Sequence, residues 1–326
     1  MKSRKKFDVA CIGNATEDVF IHIRPRMFRG EVMLTPGRKL EIEDLDVFTG
    51  GGGTNCAVGF ARLGLRTALL AEVGNDESAG TILRELKREH VSTALILHSK
   101  ELGTAYSAIL TGFGDRIILT YRGATAHLGG DKKINWRALG KAKWFYISSL
   151  HKKPSLVRKV VGFAAKHKIK VAWNPGKVEI SAGLKKLAPA LRHIDVLMVN
   201  AEEAALLAKG RNADIIGNMK KIKKYTKGSG LVVVTDGTKA VHVFDGTKMH
   251  LGKPFRVKVL DTTGAGDAFN CAFVSALHRG REITGAIDWG CANAASVIQH
   301  LGTKNILLTR AGIEKFIRAN KKKRLG

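Results

Sequence analysis

Long apolar runs, closely spaced cysteines and aromatic side chains are all scarce in this sequence. No stretch approaches the roughly 20 consecutive apolar residues that a membrane-spanning helix requires, although 44% of the 326 residues are hydrophobic. The four cysteines, Cys11, Cys56, Cys271 and Cys291, lie far apart and lack the spacing of a zinc site. These absences favour a cytoplasmic protein without a membrane partner, whose reduced cysteines are buried in its core.

Acidic residues are also few. The 55 lysines and arginines outnumber the 28 aspartates and glutamates, which gives a formal net charge of +27. Such a charge can indicate nucleic-acid binding. The basic residues are spread along the chain, however, and aromatic residues that could stack on bases make up only 6%. We therefore expect a solvated, lysine-rich surface that attracts anionic substrates. A basic nucleic-acid-binding or regulatory protein is the non-enzymatic alternative.

Short apolar runs alternate with helix-like patterns along most of the chain. The strand-like runs are 7–13, 66–73, 92–98, 143–150, 169–173, 195–199, 230–235 and 256–260. The helix-like patterns are 55–63, 77–89, 154–168, 201–209, 213–226, 267–280 and 283–300. This alternation predicts an α/β fold with a mainly parallel sheet covered by helices on both faces, within one domain over residues 1–326.

Two regions interrupt the alternation and predict a small separate β-sheet. Residues 15–49 contain short extended pieces punctuated by proline and glycine. Residues 104–122 have the pattern of a hairpin that turns at 112–115. A flap of this kind can cover a substrate and exclude water, so we expect a lid, with an ordinary β-appendage as the alternative.

The most informative stretch is DTTGAGDAF at residues 261–269. It places Gly264, Ala265 and Gly266 at the start of a helix predicted over about 265–279. Free backbone N–H groups and the positive end of the helix dipole can hold a phosphate there. Asp267 beside them could accept the proton of an attacking hydroxyl. An anion site next to a base is what phosphoryl transfer to an alcohol requires, whereas simple helix capping is the structural alternative.

A second glycine cluster, GGGGTN at residues 50–55, opens the first long helix. Its glycines allow close backbone approach, and Asn55 can both donate and accept hydrogen bonds. Together, the two clusters resemble, in order and spacing, the two signatures of the ribokinase-like family of carbohydrate and nucleoside kinases, also called the PfkB family.

This resemblance implies a three-layer α/β/α ribokinase-like fold with a small β-sheet lid formed by about 15–49 and 104–122. It implies a kinase that uses Mg²⁺ and transfers the γ-phosphate of ATP to a primary hydroxyl of a sugar. A nucleoside kinase is the alternative, although the lid segments offer few aromatic residues for a base. A homodimer formed through the lid is also expected from the resemblance, and a nucleic-acid partner is not.

The resemblance also assigns roles to residues. Asp267 would be the catalytic base, with Gly264, Ala265 and Gly266 as the anion hole. The substrate would contact Asn14, Asp18, Gly51, Gly52 and Asn55, and Arg122 at the end of the lid hairpin could reach it. The residues on the nucleotide side would be Asn200, Glu203, Thr235, Gly237 and Asn293. Helix packing is the rival interpretation of Asn293.

Two metal sites follow from the same resemblance. Glu203 would hold Mg²⁺, most simply through water, since Mg²⁺ keeps several water ligands. Asp261 and Thr263 would help to bind a monovalent cation such as K⁺, as in some relatives. The chain also departs from the family pattern, because Ala172 replaces an acidic residue and Gly52 stands where ribokinases often carry lysine. The second departure weakens a specific assignment to ribose.

Overall fold

The protein is described here by a computed structural model that covers residues 5–28, 31–129, 134–150 and 154–324. The strands are β1 (Phe7–Ile12), β2 (Thr16–His22), β3 (Arg26–Phe28), β4 (Glu31–Met33), β5 (Asp44–Gly50), β6 (Thr67–Leu70), β7 (Glu72–Val73), β8 (Leu97–His98), β9 (Ala105–Thr111), β10 (Ile117–Tyr121), β11 (Ala142–Ile147), β12 (Lys170–Trp173), β13 (Val196–Asn200), β14 (Leu231–Asp236), β15 (Ala240–Phe244) and β16 (Met249–Gly252). The helices are α1 (Gly52–Arg62), α2 (Glu77–Arg88), α3 (Trp136–Leu139), α4 (Pro154–Lys166), α5 (Lys177–Ser181), α6 (Gly183–Leu191), α7 (Ala201–Ala208), α8 (Ile215–Lys223), α9 (Ala265–His278), α10 (Ile283–Val297) and α11 (Arg310–Ala319).

The central sheet has eight strands in the order β16-β15-β14-β13-β12-β11-β1-β6. The six strands from β14 to β6 are parallel to their neighbours, whereas β15 and β16 add an antiparallel hairpin at one edge. All six residues of β1 are buried, as expected for a parallel strand that is covered on both faces. The predicted, mainly parallel sheet is therefore confirmed.

Helices cover both faces of this sheet and bury two separate apolar cores. Successive side chains of a strand point to opposite faces, so β1 contributes to both cores. Val9 and Cys11 belong to the core that contains residues of α1, α9 and α10. Ala10 and Ile12 belong to the other core, with residues of α4, α6 and α7. The chain thus forms the predicted three-layer α/β/α arrangement.

A separate sheet of four strands, in the order β10-β9-β2-β5, corresponds to the predicted lid. The β9–β10 hairpin is antiparallel, and β2 runs parallel to β9. β5 leads directly into α1, so the glycine cluster at residues 50–55 lies at the junction of the lid sheet and that helix. Among the described residues, no helix combines the length and apolarity that crossing a membrane would require. The four cysteines are buried and unpaired, as predicted.

Two of the predicted strands are largely absent from the structure. Residues 256–260 form no ladder, and within 92–98 only Leu97 and His98 form a strand, with Ser92 in an isolated bridge to Ala68 of β6. The apolar residues Val257 and Val259 line a cavity instead, which explains their strand-like pattern. The sequence prediction also missed the edge hairpin β15–β16 and the helices α5, α6 and α11.

Candidate active site

The amino end of α9 is an open, backbone-lined surface. Gly264 precedes the helix in a left-handed conformation, with φ of 81°, and a β-carbon there would lie 2.7 Å from the carbonyl oxygen of Thr303. A β-carbon at Gly266 would meet no other atom within 4 Å. Ala265 N–H donates to the Thr262 carbonyl at 3.2 Å, whereas the N–H groups of Gly264 and Gly266 have no backbone partner among the described residues. Because N–H groups in a first helical turn lack intrahelical partners, this turn can receive an anion from the open side.

A cavity of about 510 Å³ opens beside this helix end. Four residues that the sequence predicted for phosphate or nucleotide binding line it together, namely Thr235, Gly237, Ala265 and Gly266. Its other walls are mostly apolar and include Val241, Phe255, Val257, Phe269, Ala294 and Ala295. A cavity with an apolar interior and an anion-binding end has the chemical character that a nucleotide needs.

Asp267 joins the two glycine clusters. The amide nitrogen of Asn55 donates to Asp267 Oδ2 at 2.8 Å, and Thr303 Oγ1 donates to Asn55 Oδ1 at 3.0 Å. The Cys56 thiol lies 3.6 Å from Asp267 Oδ1. These contacts fix the orientation of the carboxylate beside the open turn at residues 264–266.

The surroundings of Asp267 raise the pKa of its carboxyl above the ordinary aspartate value. Burial is the main cause, and the hydrogen bonds from Asn55 and Cys56, together with the positive charge of Lys304, partly oppose it. A carboxylate with a raised pKa is a stronger base than an exposed one. A raised pKa in a cleft is also typical of functional residues.

The glycines at 51–53 leave room for a substrate next to this carboxylate. A β-carbon at Gly51, where φ is 90°, would lie 2.7 Å from the Asn14 carbonyl oxygen, so only glycine fits this close approach. A β-carbon at Gly52 would lie 3.4 Å from Asp267 Oδ1. A larger side chain at position 52 would therefore occupy the space in front of the base.

Two buried polar atoms near these glycines lack hydrogen-bond partners among the described residues. They are Asn14 Oδ1 and Ser148 Oγ. A β-carbon at Gly52 would lie 3.4 Å from Ser148 Oγ as well as from Asp267 Oδ1, so Ser148 borders the same space. Buried polar groups normally have partners, and substrate hydroxyls would satisfy both atoms. Sequence reasoning missed Ser148, whose only signal is its position directly after β11.

Asp18 lies on β2 of the lid, with its carboxylate against Gly50. Burial is the main reason that its pKa is raised, while Ser107 and the charge of Lys304 oppose the shift. The structure therefore brings Asn14, Asp18, Gly51, Gly52 and Asn55 to one place, at the junction of the lid and α1.

Asn200 and Glu203 form a reciprocal cap at the start of α7. Asn200 Oδ1 accepts from the Glu203 backbone at 2.8 Å, and Glu203 Oε2 accepts from the Asn200 backbone at 2.9 Å. Asn200 pairs with Thr235 in the sheet, which places the cap at the same sheet edge as the cavity. Helix capping accounts for the hydrogen bonds of both side chains, and their role in binding metal and nucleotide stays a prediction.

The residues present fit an indirectly held Mg²⁺. Burial raises the pKa of Glu203, so a nearby cation would favour its ionised form. Within the described part of the chain, no group of three or more His, Cys, Asp or Glu side chains could form a metal centre. A site with so few protein ligands is expected where Mg²⁺ is bound mainly by phosphates and water and only partly by the protein.

The structure gives Asn293 a packing role and leaves Arg122 on the surface, and the binding roles of both residues stay predictions. Asn293 is fully buried, donates to the Ala268 carbonyl at 2.8 Å and accepts from the Leu308 backbone at 2.8 Å. It therefore holds α10 against α9, while its neighbours Ala294 and Ala295 line the cavity. Arg122 is exposed and directly follows β10.

A different lid arginine reaches the site. Arg116 Nη1 lies 2.8 Å from Asp261 Oδ1 and 2.6 Å from Thr263 Oγ1. These are the two residues predicted to bind a monovalent cation, so a side-chain cation already contacts both of them. Sequence reasoning also missed Lys304, which is buried at 3% exposure and pairs with Glu85 at 2.7 Å.

Alanine substitutions at the two glycines flanking Ala265 should separate folding from catalysis. Gly264→Ala is expected to cost about 1–3 kcal/mol of stability, because a non-glycine residue is strained there and collides with Thr303. Gly266→Ala should keep or raise the melting temperature, since alanine favours a helix over glycine by about 0.5–1 kcal/mol. Its methyl group should nevertheless lower kcat/KM for ATP by obstructing the anion site.

Thermal unfolding and steady-state kinetics of both variants would check this pair. A Gly266→Ala protein with unchanged kcat/KM would contradict the location of the anion hole. A Gly264→Ala protein as stable as the unsubstituted protein would contradict the strain assigned to that turn.

The sequence and the fold are both similar to those of known kinases. Residues 6–310 match the pfkB family of carbohydrate kinases. The chain is 29% identical over 285 residues to a ribokinase of Haemophilus influenzae, covering 86% of this chain and 91% of that protein. It is 29% identical over 301 residues to a 5-dehydro-2-deoxygluconokinase of Clostridium tetani, covering 86% and 88%. The fold matches Arabidopsis thaliana ribokinase complexed with ribose and ATP, with a TM-score of 0.83, 20% identity and coverage of 96% and 99%.

Proposed function

The chain belongs to the PfkB family of carbohydrate kinases, and from this premise we propose that it transfers the γ-phosphate of ATP to a primary hydroxyl of a sugar. Asp267 accepts the hydroxyl proton while the oxygen attacks the γ-phosphorus in line. ADP leaves, and the N–H groups of residues 264–266 stabilise the charge on the transferred phosphoryl group. Asn200 and Glu203 would organise Mg²⁺ and the phosphates, with Glu203 holding the ion through water, and the bound ion would neutralise part of the phosphate charge.

The observation that carries this proposal is the placement of Asp267. One carboxylate is oriented by Asn55 from the first glycine cluster and stands beside the open helix turn of the second. The base therefore borders both the substrate space at Gly52 and the anion site at Gly266. A hydroxyl in the first space would face a phosphate in the second, which is the arrangement for direct transfer.

A sugar acceptor is favoured over a nucleoside by the polar character of the substrate space. Asn14, Asp18 and Asn55 offer fixed donors and acceptors for hydroxyl groups. The lid aromatics Phe20 and Phe48 pack edge to face, with ring centroids 5.6 Å apart, and Phe20 is only 7% exposed. A flat base would have to displace this pair in order to stack. A nucleoside kinase is the second candidate, and an assay of acceptors separates the two.

The direct test is a coupled assay of ADP release with pentoses, hexoses, sugar acids and nucleosides as acceptors. Release that depends on a sugar supports the proposal, and release that depends only on nucleosides supports the alternative. Salt-sensitive binding of DNA or RNA without transfer to any acceptor would instead favour a nucleic-acid-binding protein.

Replacing Asp18 should weaken sugar binding and leave the nucleotide side unchanged. Asp18→Ala is expected to raise KM for the sugar by about ten- to a hundredfold, since losing a charged hydrogen bond costs roughly 1.5–3 kcal/mol. KM for ATP should stay constant. Glu17→Gln is the matched control, because Glu17 is adjacent on β2 but contacts Ser78 of α2. A sugar KM that is equal in the two variants would contradict the role of Asp18.

The outer face of the lid supports a homodimer as part of the proposal. Leu45, Val47, Leu119 and Tyr121 share one face of the sheet by strand register and are each at least half exposed. Such a group of exposed apolar side chains is typical of an interaction surface. Pairing of two lids would cover them. A molar mass from light scattering at micromolar concentration would decide between one copy and two.

A further inference from the structure

Arg116 connects the lid to the turn in front of the anion hole. It lies just before β10, at the end of the hairpin turn, and its guanidinium contacts Asp261 and Thr263. Thr263 directly precedes Gly264, the residue that begins the anion-binding surface. One side chain therefore links the substrate cover with the backbone that receives the phosphoryl group.

The Asp261 carboxylate needs a positive partner where it stands. Its side chain is only 7% exposed, and a buried carboxylate without compensation is unfavourable by several kcal/mol. Asp261 Oδ1 accepts from the Thr263 backbone at 2.9 Å and from Thr263 Oγ1 at 2.7 Å. Among the residues that the structure covers, only Arg116 forms an ion pair with Asp261.

A monovalent cation bound by Asp261 Oδ1 and Thr263 Oγ1 would use the oxygen atoms that Arg116 already contacts. Arg116 Nη1 is 2.8 Å from one and 2.6 Å from the other. A second positive charge at these oxygens would lie within a few ångströms of the guanidinium, in a partly buried position where like charges repel strongly. Asp261 Oδ2 is buried and has no hydrogen-bond partner among the described residues, but a cation there would still lie beside the guanidinium that already compensates the carboxylate. The site therefore fits an inorganic cation poorly while Arg116 is in place.

We propose that Arg116 supplies from the lid the positive charge that a monovalent cation would otherwise provide, so that the enzyme works without K⁺. The inference rests on the proposed kinase function and makes Arg116 a positioning residue for residues 261–264. Its side chain is 37% exposed and borders a cavity of about 420 Å³ that also touches Asp261. Removal of the side chain would thus open the carboxylate to ions from solvent.

The test compares the unsubstituted protein with Arg116→Ala and Arg116→Lys in chloride salts of K⁺, Na⁺ and tetramethylammonium at constant ionic strength. Arg24→Ala is the matched control, because Arg24 is an exposed lid arginine that pairs with Glu43. Rates and melting temperatures of the unsubstituted, Arg24→Ala and Arg116→Lys proteins should not depend on which salt is present. Arg116→Ala should lose about ten- to a hundredfold in kcat in tetramethylammonium, and K⁺ or added guanidinium should restore activity.

Melting temperatures provide a readout that is independent of turnover. K⁺ should raise the melting temperature of Arg116→Ala and leave that of the unsubstituted protein unchanged. The proposal is overturned if the unsubstituted enzyme requires K⁺, or if Arg116→Ala responds to K⁺ no more than Arg24→Ala does. If no acceptor is phosphorylated by any variant, the kinase proposal fails, and the melting temperatures alone still decide the role of Arg116.

Discussion

Asp267→Asn is expected to leave the protein folded and to lower kcat by about 10²–10⁴-fold, the usual contribution of a positioned general base. Asparagine keeps the size of the side chain and an oxygen that can accept the 2.8 Å hydrogen bond from Asn55. It cannot take a proton from the acceptor hydroxyl. Single-turnover measurements with saturating sugar and ATP would report the chemical step directly.

The control for this substitution is Asp288→Asn on α10, which makes the same change in charge away from the cavity, where Asp288 pairs with Arg324. Its kcat should match that of the unsubstituted enzyme. Nucleotide affinity measured by calorimetry should be similar in all three proteins, since Asp267 acts on the acceptor hydroxyl. A normal kcat in Asp267→Asn would refute the base assignment.

Asp267→Asn is expected to stabilise the protein at neutral pH, although it lowers kcat. Burial raises the pKa of Asp267 above its ordinary value of 3.8, so the folded state prefers the protonated form. The contribution of this group to stability is complete below that ordinary value and is lost as pH rises through the raised pKa. Asp267→Asn should therefore melt at a higher temperature at neutral pH, and the gain should disappear in acid.

The central sheet could be predicted from the sequence because its strands are buried on both faces. The centres of the runs 143–150 and 195–199, residues 144–147 and 196–199, are continuously apolar, and the helices between such runs show a clear 3.6-residue period. The edge hairpin β15–β16 was missed because only Val241 and Val243 in it are buried, so it lacks that continuous apolar pattern. Segment 256–260 was misassigned for the converse reason, since the lining of a cavity is apolar without being a strand.

The glycine clusters revealed the centre of the site because backbone geometry restricts the residue type there. Gly51 and Gly264 have positive φ and lie against backbone atoms, so their role is visible in the sequence itself. Contacts of Arg116 and Lys304 depend on how the lid and α2 fold back on the chain. No local pattern distinguishes these two residues from the many other basic residues, and their partners are far away in sequence.

Lys304 is the second position where we expect a large effect, here on stability. Its ammonium group is 3% exposed and contacts Glu85 Oε2 at 2.7 Å as well as Thr49 Oγ1. Burial lowers its pKa, and the charge of Glu85 opposes that shift. Lys304→Met keeps the length of the apolar stem but removes the cation closest to Glu85, which then keeps the Thr49 hydroxyl and Arg88, 3.8 Å away. Breaking a buried pair in this way is expected to cost about 3–5 kcal/mol.

Urea unfolding at neutral pH would measure this loss, with Lys227→Met as the matched control. Lys227 also pairs with a carboxylate, Asp195, at 2.7 Å, but its side chain is 45% exposed, and such pairs contribute about 0–1 kcal/mol. The double variant Lys304→Met/Glu85→Leu should recover much of the loss, because it removes the uncompensated charge. If the double variant is no more stable than Lys304→Met, the cost lies in packing and the buried pair is not its cause.

Lys304 also links the stability of the lid junction to the chemistry of the base. Its positive charge lowers the pKa of both Asp267 and Asp18 and so opposes the effect of burial on each, and the adjacent Thr303 orients Asn55 against Asp267. In Lys304→Met the pKa of Asp267 should rise further, which would move the acid limb of the pH–rate profile to higher pH. The conservative variant Lys304→Arg keeps the charge and should leave that limb in place, so an equal shift in both variants would show that the charge at position 304 does not reach the base.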